Sequence, residues 1–123
     1  MKLPSKLSRS EKAPTIAKRK RWIRPKHRDF VRGHACSVCG STVSIEVAHV
    51  RLGTDGGTGL KPSDYYAVSL CKLCHADQHS IGERTFWDEA GVDPLELAEA
   101  FAKASPCAAD IARHKRGEFD GEG

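Results

Sequence analysis

The sequence predicts a small α+β domain. It is expected to hold a zinc-stapled ββα unit, additional C-terminal helices and a disordered basic N-terminal arm. Three observations lead there. Four cysteines fall into two C-x2-C pairs, Cys36/Cys39 and Cys71/Cys74, separated by 31 residues; two turns at that spacing can supply the four thiolates of a tetrahedral zinc site. Between the pairs lie two short runs with strand character, Val43–Val50 and Tyr65–Leu70. Charge is divided unevenly: positions 1–28 hold 11 of the 20 Lys+Arg residues and one acid, a balance of +10, whereas the other 95 residues carry −6.

A basic arm on a mildly acidic body points to a polyanion, here nucleic acid, as the partner. In residues 1–28 the run Lys18-Arg19-Lys20-Arg21-Trp22-Ile23-Arg24 has little to bury, and Pro4, Pro14 and Pro25 break any long helix. This arm is expected to be flexible, to order on a nucleic-acid backbone through Lys18, Arg19, Lys20, Arg21 and Arg24, and to stack Trp22 on a base. Residues 29–105 form the zinc-bound domain. About 75 of them carry a folding pattern, too few for a large hydrophobic core, so a metal staple is expected. No apolar run follows the basic N-terminus as in a signal peptide, and none could span a membrane. A reducing cytoplasm, with thiolates on zinc rather than in disulfides, is the expected location.

Within the domain, Gly40 closes the first cysteine turn, and His34 is expected on the surface before it. Val43–Val50 is rich in β-branched residues and reads as a strand. Arg51–Pro62, with Gly53, Gly56, Gly57 and Gly59, must be a loop. Tyr65–Leu70 is a second strand that delivers Cys71, and Cys71 to about Ser80 reads as a turn followed by a helix. Phe86 and Trp87 pack back on the domain. Asp93-Pro94-Leu95-Glu96 is a helix start, with Asp at the N-cap and Pro at the first position. That helix runs to about Ala104 with Leu95, Ala98 and Phe101 buried. Residues 106–123 are expected to be a short helix and a polar tail, with Cys107 as buried filler.

The chemistry concentrates in Cys71–His79. His75 and His79 are four residues apart, on one face of a helix. His49 ends the strand expected opposite, so three histidines converge if the ββα unit closes. Imidazoles with oxygen ligands suit a second divalent ion, Mg, Mn, Ni or Zn, beside the structural zinc.

These residues resemble a known family. Cys36-Ser37-Val38-Cys39, Val47-Ala48-His49-Val50, Gly56-Gly57 and Leu70-Cys71-Lys72-Leu73-Cys74-His75 are similar to the HNH endonucleases of the ββα-metal class. The longer stretch through Lys61-Pro62-Ser63-Asp64, Gln78-His79 and Phe86-Trp87 resembles small phage and prophage nucleases, including the recombination enhancement function group. The resemblance implies metal-dependent hydrolysis of DNA phosphodiester bonds, with His49 as general base and His75 and His79 on the catalytic metal. DNA is the implied substrate, and a recombination or replication protein a further partner. Two positions depart from the family: Ala48 stands where a metal ligand is usual, and Tyr66 where an asparagine is. Strand alternation puts Glu46 on the face of Ala48, so Glu46 is one candidate replacement ligand. Asp64 is the other, as ligand or as the partner that orients His49. Arg51 and Lys61 flank the glycine-rich loop as expected phosphate contacts; the loop lacks the G-x4-G-K-[ST] pattern of a nucleotide site. The alternative to a nuclease is a zinc-knuckle nucleic-acid-binding or adaptor protein with a degenerate catalytic centre.

Overall fold

The structure is a computed structural model, described here for residues 21–54 and 61–117. Its elements are helix α1 (Pro25–Arg32), strands β1 (Ile45–His49) and β2 (Ala67–Cys71), then helices α2 (Lys72–Ile81), α3 (Glu83–Ala90), α4 (Pro94–Ala104) and α5 (Ala108–Lys115). Among the described residues this is a small mixed α/β arrangement of five helices and a two-stranded sheet.

The strands pair antiparallel, with Ile45 opposite Cys71 and His49 opposite Ala67. Val50 N–H to Tyr66 O (2.8 Å) continues the ladder one step into the connection. β2 is buried along its whole length because its two faces are covered differently. Val68 and Leu70 enter the main core with Ala48, Val50, Phe86, Trp87 and Ala98. Ser69, on the other face, donates to the Ala35 carbonyl (2.7 Å) and meets Ser37 Oγ (3.0 Å). Residues such as Val68 and Leu70, fully buried, stabilise by roughly 1.5–3 kcal/mol each.

Cys71 caps α2 directly after β2, its Sγ accepting from Cys74 N–H, so no loop separates sheet from helix. Gly82 (φ 97°) ends α2, and Gly91, in the left-handed region at φ 71°, ends α3. Asp93 caps α4 as expected, its side chain accepting from the Leu95 and Glu96 amides. Of the three positions expected to be buried on α4, Ala98 is buried, Phe101 is half-buried and Leu95 is exposed. Leu95 lies in the first turn, where it packs on Gly53: a Cβ there would sit 3.0 Å from Leu95 Cδ1.

The N-terminal segment differs from expectation from Arg21 onward; Lys18, Arg19 and Lys20 lie outside the described residues. Pro25 opens α1 instead of breaking a helix, since its missing N–H costs nothing at a first position. The expected boundary at residue 28 falls inside α1. Trp22 is 4% exposed, donates Nε1–H to Asp110 (3.0 Å) and packs on Tyr65 with ring centroids 5.4 Å apart. Its surface is already used, which removes it as a base-stacking residue. Trp22, Tyr65, Ala102 and Ile111 form a second core that joins this segment to α4 and α5.

His27, on the inner face of α1, is fully buried, and its Nδ1 lies 2.8 Å from Ser105 Oγ. Burial pushes its pKa below the ordinary 6.5 and outweighs the opposing charge of Asp64. The unfolded chain therefore takes up a proton near pH 6.5 that the folded chain resists, and stability should fall as pH drops from about 6.5. Urea unfolding at pH 7.0 and pH 5.5 is expected to show that loss in the wild type. The loss should be smaller in His27→Phe; equal losses in the two proteins would exclude His27 as the cause.

Candidate functional site

Cys36, Cys39, Cys71 and Cys74 come together with all four sulfurs within 4.8 Å of one another. Cys39 Sγ and Cys71 Sγ are 3.7 Å apart. A tetrahedron of sulfurs at about 2.3 Å from zinc has edges of about 3.8 Å, the separation that Cys39 and Cys71 already show. Backbone amides face the sulfurs: Val38 and Cys39 N–H point to Cys36 Sγ (3.5 Å each), and Cys74 N–H to Cys71 Sγ (3.4 Å). Burial pushes the Cys36 thiol up, but the amides of Cys39, Cys71 and Val38 outweigh it and bring it to about 6. Burial and neighbouring sulfurs push Cys74 up. Four sulfurs this close cannot all ionise without a cation among them, and the cluster could hold a structural metal ion such as zinc. Cys107, half-buried, stands apart beside the second core.

His75 and His79 project from α2 with ring centroids 4.8 Å apart and planes at 76°. His75 Nδ1 lies 2.8 Å from Glu46 Oε1, across the gap from helix to β1. Nδ1–H donating to that carboxylate puts the proton on Nδ1 and leaves the lone pair on Nε2. Glu46 thus engages His75, and Ala48, next but one along the strand, is buried in the main core. Among the described residues, the cysteines are the only group of three or more His, Cys, Asp or Glu side chains drawn this close. His49, His75 and His79 do not form a second such group.

His49 has a different partner. Its Nε2 is 3.0 Å from Asp64 Oδ1, with Asp64 fully buried and the His49 side chain 15% exposed. Asp64 Oδ1 also accepts from Arg21 Nη2 (3.2 Å), and Oδ2 accepts from Arg28 Nη1 (2.8 Å) and the Arg24 amide (2.9 Å). Burial alone would raise this carboxyl. The bonds from His49, Arg24 and Arg28 outweigh it and hold Asp64 at about 2. Asp64 is therefore an acceptor at neutral pH, which places a proton on His49 Nε2 and, in the neutral ring, the lone pair on Nδ1.

The remaining expected contacts are dispersed. Arg24 pairs with Asp110 (2.9 Å). Arg51 and Lys61 are exposed, and the Arg51 amide bonds Glu83 (2.7 Å). Gly56, Gly57 and Gly59 lie outside the described residues. Tyr66 packs on Tyr65, with Lys115 Nζ 5.6 Å from its ring centroid. Sequence reasoning missed Arg28, which carries no motif and shows its relevance only through Asp64. No helix among the described residues is long and apolar enough to cross a membrane.

A family model described as "Protein of unknown function (DUF968)" matches residues 11–106. "Putative nuclease YbcO" of Escherichia coli (strain K12) is 37% identical over 70 residues, 52% of this chain and 70% of YbcO. The protein of the same name from Enterobacteria phage 82 matches to the same extent. "Uncharacterized protein YdfU" of Escherichia coli (strain K12) is 30% identical over 66 residues, 53% of this chain and 18% of YdfU. The chain thus spans less than a fifth of that relative. No solved structure matches the chain.

Proposed function

The chain belongs to the DUF968 family, and from that premise we propose that it is a metal-dependent DNA endonuclease of the HNH, ββα-metal type. The observation that carries the proposal is the hydrogen bond from His49 to the buried, ionised Asp64. It fixes the proton on Nε2, so that in the neutral ring the lone pair is on Nδ1 at a partly open position, which is what abstraction of a proton from an attacking water requires. The names of the YbcO relatives point the same way.

In this proposal His49 Nδ1 takes the proton, and Asp64 fixes the ring and steadies the imidazolium that forms. His75 and His79 would hold the divalent ion. Two adjacent imidazoles, one with its Nε2 lone pair set by Glu46, fit the protein side of such a site. Glu46 then acts through His75 instead of replacing the ligand absent at Ala48. When bound, the ion neutralises charge on the scissile phosphate and on the leaving oxygen. The cysteine cluster holds structural zinc and fixes α2 against the sheet. Residues 29–105 would carry the chemistry, with the N-terminal arginines adding affinity for DNA.

Supercoiled plasmid incubated with the zinc-loaded protein and Mg²⁺, Mn²⁺, Ni²⁺ or Zn²⁺ tests the proposal. Conversion to nicked or linear DNA by the wild type, lost in His49→Ala, is the expected result. Absence of cutting with every metal, or equal cutting by the variant, overturns it. A second reading, a zinc-knuckle adaptor that binds nucleic acid without cutting, is favoured by one feature: among the described residues, His75 and His79 belong to no group of three His, Cys, Asp or Glu donors that all lie within 4.8 Å of one another. Calorimetric titration separates the two, since an adaptor takes up one metal equivalent per chain and a nuclease two.

A further inference from the structure

Asp64 is a single carboxylate shared by three side chains. Its charge is −1 and Arg21 and Arg28 bring +2, so the carboxylate leaves at least one positive charge unbalanced. Arg21 uses Nε on the Pro62 carbonyl (2.7 Å) and Nη2 on Asp64. Arg28 uses Nη1 on Asp64. Arg21 Nη1 and Arg28 Nε and Nη2 have no partner among the described residues, although each side chain keeps about 30% of its surface exposed. Because Arg21 and His49 bond the same oxygen, at 3.2 and 3.0 Å, their nitrogens are no more than about 6 Å apart. Uncompensated positive charge and guanidinium donors still to be filled therefore lie beside the His49 ring, within about 6 Å of its Nε2. A phosphodiester group carries a single negative charge, and its two free oxygens match the planar fork of a guanidinium.

We propose that Arg21 and Arg28, held by Asp64, form the seat of the phosphodiester that is cut beside His49. Residues 21–28 then belong to the centre of the site and do more than tether the DNA. The anion seat stands on the geometry, and its part in cleavage rests on the nuclease proposal above.

The probe is dimethyl phosphate, titrated into zinc-loaded full-length protein with isotope-labelled histidine and followed by NMR. Saturable movement of the His49 ring signals is expected in the wild type and in Lys103→Ala, and none in Arg21→Gln/Arg28→Gln. Glutamine keeps a donor for Asp64. Should the double variant lose zinc or its cooperative melting, Arg28→Lys replaces it and is expected to bind at least about tenfold more weakly, since a lysine presents no fork. In single-turnover DNA cleavage, Arg28→Lys is expected to be slowed by about tenfold to a hundredfold with its affinity for DNA changed less than about threefold. His49 signals unmoved by dimethyl phosphate in the wild type, or moved equally in the variants, overturn the seat. Wild-type cleavage matched by Arg28→Lys overturns it as well and leaves the nuclease proposal standing. A seat that binds dimethyl phosphate in a protein that cuts no DNA upholds the seat and ends the nuclease proposal.

Discussion

Cys71→Ser is expected to release one equivalent of zinc per chain and to abolish cooperative folding. Cys71 is the last residue of β2 and the cap of α2, it is 5% exposed, and its sulfur lies 3.7 Å from that of Cys39. One atom thus joins the first cysteine turn, the sheet and the helix that carries His75 and His79. Structural zinc contributes about 10–16 kcal/mol of apparent binding free energy in small zinc domains, whereas a whole domain is stable by about 5–15 kcal/mol. Loss of the ion therefore exceeds what the two small cores can make up. A chelator should have the same effect on the wild type, reversed by added zinc. Metal content by atomic emission and thermal melting by circular dichroism are the measurements. A Cys71→Ser protein that keeps a full equivalent of zinc and melts within a few degrees of the wild type would contradict the expectation.

Substitution at the His49–Asp64 pair should have the largest effect on the proposed reaction. His49→Ala removes the base and is expected to lower the cleavage rate by about 10²–10⁴-fold, with affinity for DNA little changed because the arginines remain. Asp64→Asn keeps the size of the side chain but offers an amide in place of a carboxylate. The amide N–H₂ can donate to His49 Nε2 and so favour the wrong tautomer, and one charge no longer balances Arg21 and Arg28. A smaller rate loss than in His49→Ala is expected, together with loss of stability. Asp64 sits at about 2 against an ordinary 3.8. Its folded pKa is depressed, so its contribution, on the order of 2 kcal/mol, is complete above about pH 4 and is lost as pH falls toward 2. Urea unfolding of both proteins at pH 7 and pH 3 measures this: the gap between them should narrow in acid. A constant gap would show that Asp64 acts through something other than its charge.

What could be read from the sequence was what repeats locally or follows from spacing. The cysteine pairs gave the cluster, the β-branched run gave β1, the short run leading into Cys71 gave β2, and Asp93-Pro94 gave the start of α4. Asp64 stands out in the sequence as a metal ligand or as the partner of His49, and the structure places its Oδ1 3.0 Å from His49 Nε2. The remainder depends on pairs remote in sequence. Arg21, Arg24 and Arg28 look like an unattached basic arm in the sequence because the acids that hold them, Asp64 and Asp110, lie 36 to 86 positions away, and no local pattern records such pairing. Trp22 was misplaced for the same reason, since Tyr65 and Asp110 are invisible to any window around it. Leu95 fits the helical period yet lies outside the core, because the first turn of α4 faces the Gly53 loop.

Asp110 on α5 holds both Trp22 and Arg24, and through them the segment whose Arg21 and Arg28 steady Asp64. The last described helix, outside the residues that resemble a nuclease, is thereby linked through this chain of contacts to the His49 ring. Cutting the chain before α5 should untie the front of the molecule from the back and leave the zinc cluster whole.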